Sequence, residues 1–222
     1  MQGCTRAPGS DILPPMRGVW IEARHVGRAY GRREVLKDLN FRAESGELWA
    51  VLGPNGSGKS TLLKILSGLL RPTRGQTVLC VDGREMKGPE RRVALGQVSP
   101  DISAYEELTG LENLEFCARL RGLPRDRNSL MEQLRAVGLE EAADRAAREY
   151  SSGMRQRLKL AMAVQHHPAL LILDEPTALL DEEGRGRVHA VVSGHRAHGI
   201  VIWATNEPAE LPADCRELRL PQ

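Results

Sequence analysis

The sequence has no apolar run long enough to cross a bilayer as a helix. Its most apolar stretches, residues 48–52 and 169–173, are about five residues each, against the ~20 that a span needs. Residues 1–16 (MQGCTRAPGSDILPPM) carry no apolar core of the kind a secretion signal requires, and their Gly, Pro and Ser predict a loose tail. Any work at a membrane would then need a second protein to hold the chain there. Cysteines at metal-ligand or redox spacing are also missing. Cys4, Cys80, Cys117 and Cys215 are scattered with no CxxC, which points to a reducing cytoplasm. Nor is there an excess of one charge. Thirty-one Lys+Arg against 29 Asp+Glu leave a formal net charge of +2, which argues against nucleic acid or an anionic membrane surface as partner. Lysine is scarce, five of those 31 basic residues, a bias read as coding composition before function.

What is present fits one large domain, or one domain with a small inserted lobe, in 222 residues of which 41% are hydrophobic. Residues 19–25 (VWIEARH) alternate as a half-buried strand does; a turn at 27–31 and a second strand near 39–44 follow. Residues 47–52 (ELWAVL) read as a buried central strand, residues 62–70 (LLKILSGLL) as a buried helix, and 77–81 and 93–98 as short strands. From about 103 to 148 the chain turns rich in Leu, Ala, Glu and Arg at helical spacing, the size of an inserted helical lobe. Residues 155–164 continue as helix, and 169–173 (ALLIL) and 200–204 (IVIWA) read as buried strands. Strands separated by helices imply a mainly parallel sheet covered on both faces.

Between the central strand and the first helix lies Gly53-Pro54-Asn55-Gly56-Ser57-Gly58-Lys59-Ser60-Thr61, a complete G-x-x-x-x-G-K-[ST] phosphate loop in its proper strand–loop–helix context. Glycines let successive N–H groups turn inward around a phosphate, and the helix dipole favours the same anion. Lys59 would reach the β- and γ-phosphates, and the Ser60 hydroxyl would ligate Mg²⁺. Residues 170–175 (LLILDE) form an apolar strand ending in two carboxylates: Asp174 to hold Mg²⁺, Glu175 to orient and deprotonate an attacking water.

Between these motifs stands Tyr150-Ser151-Ser152-Gly153-Met154-Arg155-Gln156-Arg157, which resembles the L-S-G-G-Q-x-Q-R signature of ATP-binding cassette (ABC) ATPases. Ser151, Gly153, Gln156 and Arg157 match; Ser152 replaces a glycine and Met154 the glutamine. A Ser-Ser-Gly turn capping a helix presents a hydroxyl, backbone donors and a dipole to an anion. The resemblance runs from about residue 19 to 210. It implies an α/β P-loop NTPase of the ABC ATPase type: a mainly parallel core, N-terminal antiparallel strands and an inserted helical subdomain. The tail would cover 1–16 and the ATPase domain 17–222, with the core at about 17–98 and 159–222 and the helical subdomain at about 99–158. It further implies that Tyr30 stacks on adenine, that Ser151, Ser152, Gly153 and Met154 bind nucleotide across a dimer interface, and that Asp181 lies in the loop crossing it.

Two positions depart from the family. Pro100 stands where a glutamine usually approaches Mg²⁺, with Gln97 and Ser99 as neighbours that could substitute. Asn206 stands where a histidine usually contacts the γ-phosphate. Slow hydrolysis is the expectation. The histidines do not fill the gap: His166 and His167 read as helix-end dipole compensation, His195 and His198 as solvated loop residues, and none as a metal ligand.

The resemblance therefore implies the ATPase subunit of a membrane transporter, binding ATP and Mg²⁺. It would act as a homodimer or beside a second ATPase subunit, and dock a separate transmembrane subunit near residues 99–116. Its place would be the inner face of the cell membrane, on the cytoplasmic side. The signature and compact length look most like the haem-exporter-type branch of cytochrome c biogenesis. Two other readings are a non-transport ABC ATPase of DNA repair or the ribosome, and a regulator that closes on ATP but hardly hydrolyses it. The first usually carries coiled coils, zinc hooks or a second cassette, which 222 residues do not show.

Overall fold

A computed structural model describes residues 18–221; the tail expected at 1–16, and Cys4 with it, lie outside the described residues. Two sheets build the chain. A four-stranded antiparallel sheet holds β1 (Trp20–Tyr30), β2 (Arg33–Glu44), β4 (Arg74–Val81) and β5 (Arg84–Glu85) in the order β2-β1-β4-β5. A five-stranded parallel sheet holds β3 (Leu48–Leu52), β6 (Leu95–Val98), β7 (Leu170–Asp174), β8 (Ile200–Thr205) and β9 (Arg216–Arg219) in the order β6-β7-β8-β3-β9.

The parallel strands separate two cores by period-two alternation. Leu170, Ile172, Ile200, Ile202 and Val51 face α1 (Lys59–Leu66) and the antiparallel sheet. Leu171, Leu173, Val201 and Trp203 face α5 (Ser152–Val164), α6 (Glu182–Arg196) and the helical lobe. Both faces of β7 and β8 are buried, so these strands read as continuous apolar runs. Each fully buried Leu or Ile contributes about 1.5–3 kcal/mol relative to exposure. That stiffness fixes where Asp174 and Thr205 end their strands.

The lobe carries α3 (Gly110–Arg121) and α4 (Arg127–Ala136), with α2 (Gly88–Val93) leading into β6. Thr109 starts α3 with a reciprocal capping box: its hydroxyl accepts from the Glu112 N–H, and the Glu112 carboxylate accepts from the Thr109 N–H. Arg157 of α5 donates to the carbonyls of Val137 and Gly138, at 2.6 and 2.9 Å, tying lobe to signature helix. The boundary expected at residue 158 falls inside α5, which packs against α3 and α4 as well as β6.

Several element bounds differ from expectation. β1 runs through the turn expected at 27–31, pairing with β2 up to Tyr30 and with its register to β4 shifted between Arg24 and Gly27. The buried helix that follows the phosphate loop begins at Lys59 as expected but ends at Leu66, where Ser67 and Gly68 (φ +78°) close it, instead of reaching residue 70. His195 is a correction: it sits in the last turn of α6 with its side chain buried and Nε2 unpartnered. Burial lowers its pKa to about 4, so it is neutral. His166 is likewise lowered to about 4 by burial and donates from Nε2 to the Leu95 carbonyl at 3.0 Å, so a charged partner for the helix dipole it is not.

Candidate functional site

The phosphate loop leaves β3 at Leu52 and enters α1 at Lys59. Gly58 is the N-cap of α1, at φ +100°, and offers no side-chain cap; no acid occupies the first turn. A Cβ at Gly58 would stand 2.7 Å from Val35 Cγ1, so both conformation and packing demand glycine. The helix therefore starts with its amide donors uncommitted to any side chain, the arrangement an anion can occupy.

Lys59 is buried, and its ammonium donates to the carbonyls of Gly53 (2.6 Å) and Pro54 (3.2 Å) and to Asn206 Oδ1 (2.5 Å). Asn206 Nδ2 in turn donates to Asn55 Oδ1 at 2.9 Å. Ser57 is buried, with its N–H on the Pro54 carbonyl and its hydroxyl unpartnered, backing the loop from behind.

Asp174 ends β7 and Glu175 follows it with a left-handed backbone, φ +49°. That kink is held by the Glu175 N–H donating to the Ala204 carbonyl at 2.9 Å and by Gln156 Nε2 donating to the Glu175 carbonyl at 3.2 Å. The second bond ties the signature helix to the acid pair. Thr205 Oγ1 and the Asn206 N–H donate to the Glu175 carboxylate at 3.2 and 3.1 Å. Burial raises the pKa of Glu175, against the opposing pull of those donors and Lys59. Burial also raises that of Asp174, opposed first by the neighbouring Ser60 hydroxyl and then by Lys59. A hydroxyl beside a carboxylate is a hard-oxygen pair suited to Mg²⁺. Among the described residues no cluster of three His, Cys, Asp or Glu could cage a metal alone.

These side chains line one cleft of about 390 Å³: Asn55, Gly56, Gly58, Lys59, Ser60, Thr61, Asp174, Glu175 and Asn206, with Pro100 at its wall. Gln97 and Ser99 do not line it; Gln97 lies in β6 and Ser99 is buried. Arg33 and Val35 of β2 do line it, and sequence reasoning passed over both. Their signal was weak: position alone, three and five residues after Tyr30.

Tyr30 ends β1, is 49% exposed, and pairs with Arg33 across the β1–β2 turn. The Arg28 guanidinium covers one ring face at 4.5 Å. The signature residues form a second, separate group. Ser151 caps α5 by accepting the Met154 N–H at 3.2 Å, and Ser151 and Ser152 are exposed. Gly153 packs against Leu179 and Leu180, where a Cβ would meet the Leu179 carbonyl at 3.2 Å. Asp181 caps α6 by accepting the Gly184 N–H at 2.8 Å. None of Ser151, Ser152, Gly153, Met154 and Asp181 lines the phosphate-loop cleft of its own chain.

A phosphate loop on a parallel sheet, with strand-end carboxylates facing it, defines a P-loop nucleoside triphosphatase. The comparisons narrow the class. The family model described as ABC transporter matches residues 36–178. The chain is 31% identical to the lantibiotic transport ATP-binding protein SrtF of Streptococcus pyogenes over 186 residues, which cover 84% of this chain and 79% of that one. It is 33% identical to the cytochrome c biogenesis ATP-binding export protein CcmA 2 of Cupriavidus metallidurans, covering 87% of this chain and 92% of that one. A solved ATP-binding subunit of an ABC transporter superposes with a TM-score of 0.79 at 30% identity, over 90% of this chain and 85% of that chain. An ATP-binding cassette solved as a dimer in a post-hydrolysis state with ADP and phosphate superposes with a TM-score of 0.78 at 25% identity, over 90% and 94%. The chain belongs to the ABC transporter family. It is an ATP-binding ATPase subunit of that family, and ATPases of this kind form dimers and pair with transmembrane subunits.

Proposed function

We propose that the cleft binds MgATP and hydrolyses it slowly, each ATP shared between two chains arranged head to tail. The observation that carries this reading is the split into two groups. Lys59, Ser60, Asp174, Glu175 and Asn206 converge on one cleft, while Ser151, Gly153 and Asp181 stand together outside it at an exposed helix start. Only a second copy, or a paired ATPase subunit, can bring one group to the other.

In this arrangement Lys59 and the loop amides hold the phosphates. Ser60 and Asp174 would hold Mg²⁺, which supplies charge neutralisation at the terminal phosphates. Glu175 orients the attacking water and accepts its proton; burial makes it a stronger base than a solvated glutamate. Asn206 supplies a neutral donor where a histidine could carry charge, and Pro100 supplies no polar contact, so turnover is slow. The membrane subunit docks on the lobe face bearing Tyr105 and Phe116, whose rings meet edge to face at 4.8 Å with Tyr105 exposed. That docking places the chain at the inner, cytoplasmic face of the membrane. No helix among the described residues is long and apolar enough to cross a membrane itself.

A cysteine-pair experiment tests the shared site. Chains carrying Ser151→Cys, mixed with chains carrying Asn55→Cys, should form a disulfide-linked dimer under mild oxidation in MgATP. They should remain uncrosslinked without nucleotide. Crosslinking indifferent to MgATP, or none at all, overturns the head-to-tail arrangement.

A further inference from the structure

We propose that Arg33 is a further ligand of the nucleotide's terminal phosphates; the inference rests on the ATP reading above. Arg33 begins β2 and lines the cleft together with Lys59, Ser60 and Asp174. Its Nη2 lies 3.9 Å from the point where a Cβ on Gly56 would stand, so the guanidinium rests against the phosphate loop at a residue without a side chain. Asn55, the neighbour of Gly56, is the loop residue to which Asn206 donates. Arg33 therefore lies at the Asn206 end of the loop, the end assigned above to the terminal phosphates.

Charge accounting singles it out. Two cations line the cleft, Lys59 and Arg33. An ammonium has three donors, and those of Lys59 are already taken by Gly53, Pro54 and Asn206 oxygens. Arg33 makes no ion pair among the described residues, whereas its neighbour Glu34 is taken by Arg74. Nor is Arg33 the counter-charge of the cleft acids: Lys59 and Lys64 are the cations that act on Asp174, and Lys59 acts on Glu175. Arg33 is solvent-exposed, as an unpaired surface arginine is, but it lines the cleft beside Gly56 of the phosphate loop. An entering triphosphate must displace Asn206 from Lys59, yet meets the forked donors of Arg33 uncommitted. A guanidinium fork matches two phosphate oxygens.

The test titrates ATP and AMP into the unmodified chain, Arg33→Gln and Arg33→Lys, with Mg²⁺ present. Loss of one charged contact should weaken ATP binding about tenfold in Arg33→Gln and AMP binding less than twofold, with Arg33→Lys recovering part of the ATP affinity. Unchanged ATP affinity in Arg33→Gln overturns the proposal and leaves the ATP reading standing. Equal losses for ATP and AMP also overturn it, since the contact then lies away from the terminal phosphates or is structural. Absence of ATP binding by the unmodified chain overturns the ATP reading and this proposal together.

Discussion

Helices α1 and α5 start with the same electrostatic opportunity and use it differently. At α1 the N-cap is Gly58, which has no side chain to offer, and the first turn has no acid. At α5 the N-cap is Ser151, whose hydroxyl already accepts the Met154 N–H, and neither does its first turn carry an acid. An N-cap side chain stabilises a helix by about 1 kcal/mol over alanine. α1 forgoes that, and its stability comes from packing instead: Leu62, Leu63, Ile65 and Leu66 are almost wholly buried against the parallel sheet. α5 keeps its cap and remains exposed at that end. α1 presents amide donors that no side chain occupies, whereas α5 begins with the Ser151 hydroxyl already committed to the Met154 N–H.

The largest effect should come from freezing the state in which both helix ends share one nucleotide. Glu175→Gln removes the base; its single amide oxygen can still accept the Asn206 N–H, while its amide nitrogen donates toward Thr205 Oγ1 instead of accepting from it. Turnover should fall ~10²–10⁴-fold, while ATP accumulates unhydrolysed and the dimer survives gel filtration. Undiminished turnover, or a monomer in excess MgATP, would count against a shared site. The same residue sets the acid limb of the pH profile. Because burial raises its pKa, the carboxylate protonates and stops acting as base at a pH above the usual glutamate range. Turnover should therefore decline early as pH falls, and Glu175→Gln should abolish that limb.

Next in size is the α1 end alone. Lys59→Ala removes a buried cation, and ATP binding should weaken by more than ~1.5 kcal/mol, the low end for a charged hydrogen bond. Calorimetric titration giving wild-type affinity would reject the phosphate-loop role. A smaller effect belongs to α5. Ser151→Ala should cost ~1 kcal/mol of helix stability, read as a lower melting temperature, and should weaken MgATP-driven dimerisation. The affinity of the single chain for ATP should hold steady. A drop would mean that the two helix ends act on one nucleotide within a single chain.

Legibility followed how local each signal is. The phosphate loop, the LLILDE strand and the Ser151 turn are each written in fewer than ten consecutive residues, and each occupies the element expected of it. The alternating two-sided burial of β7 and β8 was legible for the same reason: apolar runs leave few choices. Helix α6 was missed because Gly184, Gly186 and Gly194 interrupt its helical propensity, and tertiary packing of Val188 and Val192 overrides that. Strand β9 (RELR) was missed because it lies at the sheet edge and buries almost nothing. Arg33 escaped because nothing local marks a cation whose meaning comes from Gly56, 23 positions away and beyond a strand. The burial of His195 depends on the packing of α6, whereas its polar neighbours alone suggest a solvated loop at His195 and His198.

The finest test concerns Asn206, which belongs to neither helix but touches the α1 end. Its Oδ1 accepts from Lys59 and its Nδ2 donates to Asn55, so the amide is fixed with its acceptor toward the ammonium. An incoming γ-phosphate competes for Lys59, and only the Nδ2 side of Asn206 can then donate to it. A neutral hydrogen bond is worth ~0.5–1.5 kcal/mol, so Asn206→Ala should lower turnover by roughly 2- to 10-fold. Asparagine cannot ionise, and turnover should show no titration from this position between about pH 6 and 8. Asn206→His should raise turnover, since an imidazolium can meet the negative charge that develops in the transition state. It should also add a pH dependence near the ordinary histidine pKa of ~6.5. Turnover of Asn206→Ala equal to that of the unmodified chain would mean that the amide serves Lys59 in the resting cleft and nothing at the γ-phosphate. The α1 end would then act on the phosphates through its loop amides and cations alone.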